Sequence, residues 1–262
     1  MGKHLQVAIA AAKEAGLFIL ENFGKVSYLD AEEKRDNDWV TFVDRKSEEI
    51  IRSILSSEFP HYQFLGEEEG MQGLSSDYVW VVDPLDGTKN FLHGIDIFAI
   101  SCALLHNGEP EVGVVLNPSR NELFYAGRGE GAFRNGDLLM INTSGDVEKS
   151  LFGTAFPFRD KTKFEFLESI FGKVFMKFSD MRRLGSAALD LCYVANGTFA
   201  VFYEYGLSAW DIAAGALIVE EAGGTVKDFN GAKAYLNTGD IVAGSREAVQ
   251  IVLNAIKESY GS

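Results

Sequence analysis

Residues 79–91 read VWVVDPLDGTKNF and form the central landmark of the chain. An unbroken apolar strand ends at Asp83, where a proline interrupts it. Asp86, Gly87 and Thr88 follow and can begin a helix whose free N–H groups bind an anion. Carboxylates bind hard cations such as Mg²⁺, so the stretch predicts metal-assisted phosphoryl chemistry. An Asp-capped turn, which is common at Asp-Gly, would give the same pattern.

Two amphipathic helices are predicted before this landmark. Apolar residues recur at helical spacing over residues 5–23, and a second such run covers 44–59 with Asp44 at its start. Between them, residues 25–38 are mostly polar and charged, which is typical of a mobile surface loop. The N-terminal part of the chain is therefore expected to be helical, with one mobile loop between the helices.

After the landmark, the pattern changes from successive strands to an alternation of strands and helices. Short apolar runs joined by turns such as Asn135-Gly136 predict an antiparallel meander up to residue 141. Further helices are expected over 161–171, 186–195, 210–222 and 246–259. Strands are expected between them over 151–155, 174–178, 200–204 and 240–243. The predicted class is α+β then α/β, with a first subdomain over 1–145 and a second over 146–262.

The composition is that of a globular protein with an acidic surface. Hydrophobic residues make up 47% of the 262 and charged residues 24%. The net charge of −14 disfavours direct nucleic-acid binding, because phosphate groups attract cationic faces. No run approaches eighteen apolar residues, so neither a membrane segment nor a secretory signal is expected, and the expected compartment is the cytoplasm. Cys102 and Cys192 lie in apolar stretches and are expected to be reduced core thiols.

Two further acidic groups lie outside the landmark. Residues 66–70 read GEEEG at the end of a short strand, and three adjacent carboxylates repel one another unless a cation or water separates them. Asp211 precedes an apolar helical run in the segment SAWDIAAG at 208–215. Taken singly, the first group is an ordinary solvated turn and the second an ordinary N-terminal cap. Neither group identifies a function by itself.

Together, however, the three groups resemble the inositol monophosphatase family of metal-dependent, lithium-sensitive sugar phosphatases. The matching segments are GEE at 66–68, DPLDGT at 83–88, WD at 210–211 and EAGG at 221–224. The resemblance covers nearly the whole chain and is closest to bacterial members in RRLGSAALDL at 182–191. It implies a layered αβαβα sandwich of the sugar phosphatase type, a homodimer and inhibition by Li⁺.

The resemblance also implies a set of metal ligands. In the family, the positions matching Glu67, Asp83 and the backbone carbonyl of Leu85 hold one Mg²⁺. The positions matching Asp83, Asp86 and Asp211 share a second ion, so Asp83 bridges the two. Two or three Mg²⁺ ions per active site are therefore expected.

Catalytic roles follow for three further positions. By resemblance, Glu68 orients the nucleophilic water and a third ion, Thr88 is hydrogen-bonded to that water, and Asp44 is the partner of Thr88. Phosphatases that form an aspartyl-phosphate carry the nucleophilic aspartate two residues before the second one, where this chain has Pro84. The spacing therefore favours water over a carboxylate as the nucleophile.

The substrate is expected to contact the same turn and two positions in the second half of the chain. The N–H groups of Gly87 and Thr88 would hold the phosphate, Glu204 would bind a substrate hydroxyl, and Arg183 would lie near the substrate and the dimer contact. The predicted substrate contacts also include four of the metal ligands: Glu67, Leu85, Asp86 and Asp211.

Two departures from the family pattern lie on the substrate side. Ser208 stands where animal members often have a histidine, so the ring contact of that histidine is not carried over. The lysine of the family's mobile loop aligns with Lys34 only after a gap, and Glu33 takes its place without one.

Inositol 1-phosphate is the leading substrate that the resemblance implies. Related families share the metal motif and differ in the wall that contacts the substrate. Fructose 1,6-bisphosphate, a dual activity on both esters, and 3′-phosphoadenosine 5′-phosphate are therefore alternatives. A phosphorylated small molecule and a second copy of the chain are the expected partners, with no membrane and no direct nucleic-acid contact.

A role of another class is a regulatory partner of the transcription or ribosome-assembly machinery. Its motivation is the bacterial-type segment at Arg182-Arg183, because some bacterial relatives are thought to act in this way. Every acidic position that the chemistry needs is present, and the chain is not basic enough to bind RNA directly. Hydrolysis is therefore the favoured function.

Overall fold

The computed structural model describes residues 1–35, 38–73, 75–142, 146–156 and 161–260. Within these ranges the α-helices are α1 (Lys3–Asn22), α2 (Phe42–Glu58), α3 (Thr88–Leu92), α4 (Phe164–Phe175), α5 (Ala187–Ala195), α6 (Ala209–Glu221), α7 (Tyr235–Thr238) and α8 (Arg246–Ser259). The first ten strands are β1 (Glu32–Arg35), β2 (Asp38–Val40), β3 (Gln63–Gly66), β4 (Gly70–Gln72), β5 (Tyr78–Asp86), β6 (Ala99–His106), β7 (Glu109–Asn117), β8 (Glu122–Gly127), β9 (Gly131–Arg134) and β10 (Asp137–Leu138). The other strands are β11 (Leu151–Thr154), β12 (Asp180–Arg182), β13 (Phe199–Glu204), β14 (Thr225–Lys227) and β15 (Ile241–Gly244).

Most of the strands belong to two sheets. The larger has the order β10-β9-β8-β7-β6-β5-β3-β4, and the smaller has the order β12-β11-β13-β15-β14. From β5 to β10, successive strands pair antiparallel, which confirms the predicted meander, while β3 pairs parallel to β5. In the smaller sheet, β11 pairs parallel to β12 and β13, and β15 pairs antiparallel to β13 and β14. A separate hairpin is formed by β1 and β2.

The helices cover these sheets in layers. One face of the larger sheet packs against α1 and α2, the space between the sheets holds α5 and α6, and α4 and α8 cover the outer face of the smaller sheet. Alternating side chains of β6 enter different cores, since Ile100 and Cys102 join the core with α1 whereas Ala99 and Ala103 join the core with α6. Five alternating layers of helix and sheet result, which confirms the predicted fold class.

The predicted boundary near residue 145 lies next to residues 143–145, which are outside the described ranges. The two halves of the chain share one hydrophobic core, in which Ala99 and Phe124 pack with Leu189 and Ile212. The division into two subdomains therefore stays a prediction.

Two predicted elements differ from the structure. The strand expected over 174–178 is wrong, because α4 continues to Phe175 and the edge strand is β12. An apolar run of this length is ambiguous between a helix and a strand, and Val174 is buried from the last turn of α4. The loop expected over 25–38 contains a 3-10 turn at Tyr28–Asp30 and strand β1 of the small hairpin, and it ends where β2 begins at Asp38, while residues 36–37 lie outside the described ranges.

The predictions from composition concern cysteines and membranes. Both Cys102 and Cys192 are buried and unbridged, as expected. Burial raises the pKa of the Cys102 thiol to about 12, which makes it unreactive at neutral pH. Among the helices of the described ranges, none combines the length and the apolar character needed to cross a membrane.

Candidate active site

Three carboxylates meet at the end of β5 and the start of α6. One carboxylate oxygen from each of Asp83, Asp86 and Asp211 lies within 4.8 Å of the others, and this group is called the carboxylate cluster below. Residues three apart on a regular strand point to opposite faces. The β5–β6 register shifts between Asp83 and Asp86, where Pro84 lies within β5 and has no N–H to donate, and the shift brings both acids to the cluster.

Negative charge accumulates in this cluster. Burial raises the pKa of Asp83 well above its usual range, and the charges of Glu67, Asp86 and Asp211 raise it further. Buried like charges repel one another unless a counter-ion is present. Carboxylate oxygens at this spacing suit a hard divalent cation, so the donor set fits Mg²⁺.

Hydrogen bonds donated by backbone N–H groups and by one serine hydroxyl fix two acids of the cluster. The backbone N–H of Leu85 donates to Asp83 Oδ1 at 2.9 Å. Asp86 Oδ2 accepts from Ser186 Oγ at 2.7 Å and from the N–H of Ala188 at 2.8 Å, at the beginning of α5. The chain thus orients both carboxylates before any ligand binds.

The third acid of the cluster is fixed by the start of its own helix. The backbone N–H of Ser208 donates to Asp211 Oδ2 at 2.6 Å. The Ser208 contribution is a main-chain donor, which any residue type except proline would supply. This contact therefore does not depend on which side chain stands at position 208.

Asp44 and Thr88 meet beside the cluster, as predicted. Thr88 Oγ1 lies 2.9 Å from Asp44 Oδ1 and 3.0 Å from the carbonyl oxygen of Leu85, and its single hydrogen can be donated to one of them. Asp44 Oδ2 accepts from the N–H of Thr41 at 2.9 Å and from its hydroxyl at 2.6 Å. Burial raises the pKa of Asp44 to about 6, against the lowering effect of these hydrogen bonds.

The turn between β5 and α3 requires a glycine. Gly87 has φ of +94°, and a Cβ there would lie 3.1 Å from the carbonyl oxygen of Ile97 and 3.2 Å from that of Gly185. The side-chain amide of Asn90 donates to the carbonyls of Ile97 and Leu184, at 2.6 and 2.8 Å. Asn90 therefore ties the turn to the segment that leads into α5.

A fourth acid, which the sequence analysis missed, holds the glutamate turn after β3. Glu48 is 1% exposed, and its carboxylate accepts from the N–H groups of Glu68 and Glu69 at 2.9 and 3.0 Å. A Cβ at Gly66 would collide with the Glu48 carboxylate, so any larger residue there would displace that carboxylate from its two hydrogen bonds. Two acids four residues apart, Asp44 and Glu48, lie on the buried face of α2, and that spacing was the available signal.

One cavity collects most of the predicted site residues. Nine of the eleven line it, namely Glu67, Asp83, Leu85, Asp86, Gly87, Thr88, Arg183, Glu204 and Asp211. The other two, Asp44 and Glu68, are not among the lining residues, and Asp44 reaches the cavity through its contact with Thr88. The backbone of Lys34 belongs to β1, and its side chain lies outside the described part of the chain.

Part of the lining comes from the segments around α5 and β13. This surface, called the α5–β13 wall, consists of Arg183, Asp190, Glu204 and Tyr205. Asp190 was missed by the sequence analysis, because an acid in an apolar helix has no local partner that marks it. The only sequence signal was its isolation between apolar neighbours in α5.

Comparison with known proteins relates this geometry to a family. The model described as the inositol monophosphatase family matches residues 2–261. The chain is 43% identical over 255 residues to the Nus factor SuhB of Escherichia coli (strain K12), an alignment that covers 97% of this chain and 96% of that protein. The crystal structure of extragenic suppressor protein suhB from Bartonella henselae has a TM-score of 0.94 and 38% identity, covering 98% of this chain and 99% of that one. The inositol monophosphatase from Anabaena (Nostoc) sp. PCC 7120 has a TM-score of 0.85 and 34% identity, covering 97% and 95%. The chain therefore belongs to the inositol monophosphatase family.

Proposed function

We propose that the protein hydrolyses a phosphate monoester in the presence of Mg²⁺, with inositol 1-phosphate as the leading substrate. The observation that carries this proposal is the carboxylate cluster, whose oxygens lie within 4.8 Å of one another in the cavity that also contains the Gly87 turn. Membership of the inositol monophosphatase family supports a phosphatase.

The proposed metal ligands all line this cavity: Glu67, Asp83, the carbonyl of Leu85, Asp86 and Asp211. Together they offer enough oxygen atoms for two or three ions. Bound Mg²⁺ supplies an activated water and offsets negative charge on the phosphate group. Li⁺ is expected to inhibit by occupying one of these cation sites.

Asp44 and Thr88 are proposed to position the attacking water. Because the pKa of Asp44 is about 6, its carboxylate is mostly ionised at neutral pH and accepts the hydroxyl hydrogen of Thr88. The oxygen of Thr88 is then left to accept a hydrogen bond from water. Glu68, on the turn that Glu48 holds, is proposed to orient the same water.

The phosphate is proposed to bind at the N–H groups of Gly87 and Thr88, where α3 begins. Water is the proposed nucleophile, since Pro84 occupies the position that a nucleophilic aspartate would need. No covalent intermediate with the protein is then required.

On the α5–β13 wall, Glu204 is proposed to accept a hydrogen bond from a substrate hydroxyl. Arg183 is proposed to lie near the substrate and near the contact between two copies of a homodimer. Both side chains belong to the lining of the cavity, which is the support for a role in substrate binding.

The test is phosphate release with Mg²⁺ from inositol 1-phosphate, fructose 1,6-bisphosphate, 3′-phosphoadenosine 5′-phosphate and glycerol 2-phosphate. Asp83→Asn is the inactive control. Selective turnover of inositol 1-phosphate would support the full proposal. Preferred turnover of another ester would change the proposed substrate and leave the proposed phosphatase activity in place. Absence of turnover by folded, Mg²⁺-binding protein would overturn the proposal.

A second candidate function is a regulatory partner of the transcription machinery. It is favoured by the similarity to the Nus factor SuhB of Escherichia coli, at 43% identity. The test uses immobilised wild type and Asp83→Asn to capture proteins from a bacterial extract. Retention of RNA polymerase or ribosomal proteins by both forms would support this candidate, and retention of neither would remove it.

A further inference from the structure

Asp190 is a buried carboxylate whose Oδ1 accepts no hydrogen bond from the described residues. It lies in α5, is 2% exposed and lines the active-site cavity. Within the described residues, no hydrogen-bond donor contacts its Oδ1. Asp86, in the same cavity, instead accepts two hydrogen bonds at a single oxygen. Asp190 Oδ1 therefore differs from the Asp86 carboxylate, which hydrogen bonds from the protein hold in place.

Packing does not call for an acid at this position. The flanking residues Leu189 and Leu191 are completely buried, and an apolar side chain would suit the same helix. A buried carboxylate that lacks hydrogen bonds destabilises the folded state. Burial raises the pKa of Asp190 well above its usual range, and the charge of Glu204 raises it further. Asp190 is thus an unfavourable polar group at the cavity, which indicates that a bound ligand supplies its missing hydrogen-bond donor.

The chemistry of that partner follows from the neighbours of Asp190. Glu204 lies close enough for its charge to act on Asp190, and both residues belong to the α5–β13 wall. Two neighbouring carboxyl groups present several acceptor oxygens. A polyol presents several hydroxyl donors on adjacent carbons, so it can satisfy both groups at once. A second phosphate group offers only acceptors and negative charge to these two carboxyl groups, so it would have to bind at Arg183, the cation of the same wall, whose charge lowers the pKa of Asp190.

We propose that Asp190 is a specificity-determining residue, which accepts a hydrogen bond from a substrate hydroxyl next to the hydroxyl bound by Glu204. This inference rests on the phosphatase function proposed above and adds to it a second residue that recognises the polyol. A site with a buried acceptor discriminates strongly against an analogue that lacks the donor, because the acceptor is then left unpaired.

The test compares two substitutions with opposite effects on hydrogen bonding. Asp190→Leu removes the acceptor, and Asp190→Asn keeps one acceptor oxygen at nearly the same volume. For each variant, kcat and KM are measured with inositol 1-phosphate and with p-nitrophenyl phosphate, which has no hydroxyl on its leaving group. Thermal melting of the same samples reports stability. Asp228→Asn is the matched control, since Asp228 is also 2% exposed but is not among the residues that line the cavity.

The expected result for Asp190→Leu is a loss of discrimination with a gain of stability. The ratio of kcat/KM for inositol 1-phosphate to that for p-nitrophenyl phosphate should fall about tenfold, mainly through KM, as for the loss of one substrate hydrogen bond. Its melting temperature should rise, because a buried unpaired carboxylate is removed. Asp190→Asn should recover part of the lost ratio, and Asp228→Asn should leave the ratio as in wild type.

Two outcomes would overturn the inference. An unchanged ratio in Asp190→Leu would show that the residue does not contact the polyol. A lower melting temperature in Asp190→Asn, which keeps the volume of the side chain, would show that Asp190 is a structural group satisfied within the protein. If wild type hydrolyses neither ester with Mg²⁺, the proposed function itself fails, whereas turnover of both esters with an unaltered ratio in the variants removes only the role of Asp190.

Discussion

The carboxylate cluster and the α5–β13 wall line the same cavity and are built in different ways. In the cluster, Asp83 and Asp86 are oriented by hydrogen bonds from the chain, at 2.7–2.9 Å. In the wall, Asp190 has a buried oxygen without a donor among the described residues. The protein therefore orients the acids of the cluster with its own donors, whereas one acceptor of the wall, on Asp190, is left for a ligand to satisfy. Preorganised charge serves catalysis directly, whereas an incomplete wall serves selection between substrates.

The largest effect is expected in the cluster. Asp83→Asn should lower kcat/KM for every phosphate ester by about a thousandfold, because it removes a charge that stabilises the bound cations. The fold should be retained, since asparagine has nearly the same volume and can accept the hydrogen bond from Leu85. Phosphate release and thermal melting are the measurements, with Asp228→Asn as the matched control. Activity near that of wild type would remove Asp83 from the mechanism.

The next effect concerns Asp44, the acid behind the cluster, and is measured as the free energy of unfolding of the metal-free protein. The pKa of Asp44 is raised from 3.8 to about 6 by burial, so between these values the native state binds more protons than the unfolded state. Stability should therefore fall as the pH rises from about 4 to about 6, by on the order of 3 kcal/mol for this group.

The measurement is the free energy of unfolding from denaturant titrations at pH 4, 5, 6 and 7 with a chelator present. Asp44→Asn should reduce the decrease in stability between pH 4 and pH 6. An identical pH dependence in wild type and variant would show that burial does not raise the pKa of Asp44 into this window.

A smaller effect is expected where the chain supports the glutamate turn. Glu48→Gln should weaken Mg²⁺ binding about tenfold, because the amide can accept only one of the two N–H groups that the carboxylate holds. Titration calorimetry with Mg²⁺ measures this directly. The control is Glu49→Gln, since Glu49 is the exposed neighbour paired with Lys46 at 2.8 Å. Equal affinity in the Glu48 and Glu49 variants would show that the turn needs no support.

The smallest effect is expected in the wall. Glu204→Gln should raise KM for inositol 1-phosphate about threefold, because a neutral amide oxygen still accepts a hydrogen bond, though a weaker one. The kcat for that substrate should change little, which separates binding from the chemical step. A fall in kcat comparable to that of Asp83→Asn would mean that the two parts of the cavity do not act separately.

The carboxylate cluster was predictable because much of it is local. Asp83, Pro84, Asp86 and Gly87 lie within five residues, and the proline and the glycine set the chain direction there whatever surrounds it. Binary patterning likewise predicted the meander, in which each strand pairs with its neighbour in sequence. The error at 174–178 arose because the apolar run at the end of α4 carries no signal that separates a helix from a strand.

Glu48 and Asp190 were not predictable in the same way. Both are acids inside helices, a pattern that on most helices means a solvated face. The role of Glu48 depends on β3 ending against α2, so that the N–H groups of Glu68 and Glu69 meet its carboxylate. Asp190 depends on α5 being enclosed between two sheets. Neither condition can be obtained from a window of a few residues.

The sequence by itself determined the layered class and the family, and it predicted a cation-binding and phosphate-binding turn, since apolar periodicity and three short acidic segments can be recognised without the fold. Only the tertiary structure added Asp190 to the cavity that holds Asp83 and Asp211, because these acids lie on separate elements that meet through long-range packing. It also decided which of these acids the protein satisfies with its own donors. Hydrogen-bond satisfaction depends on distances of a few tenths of an ångström between distant segments, and these distances exist only once the core has formed.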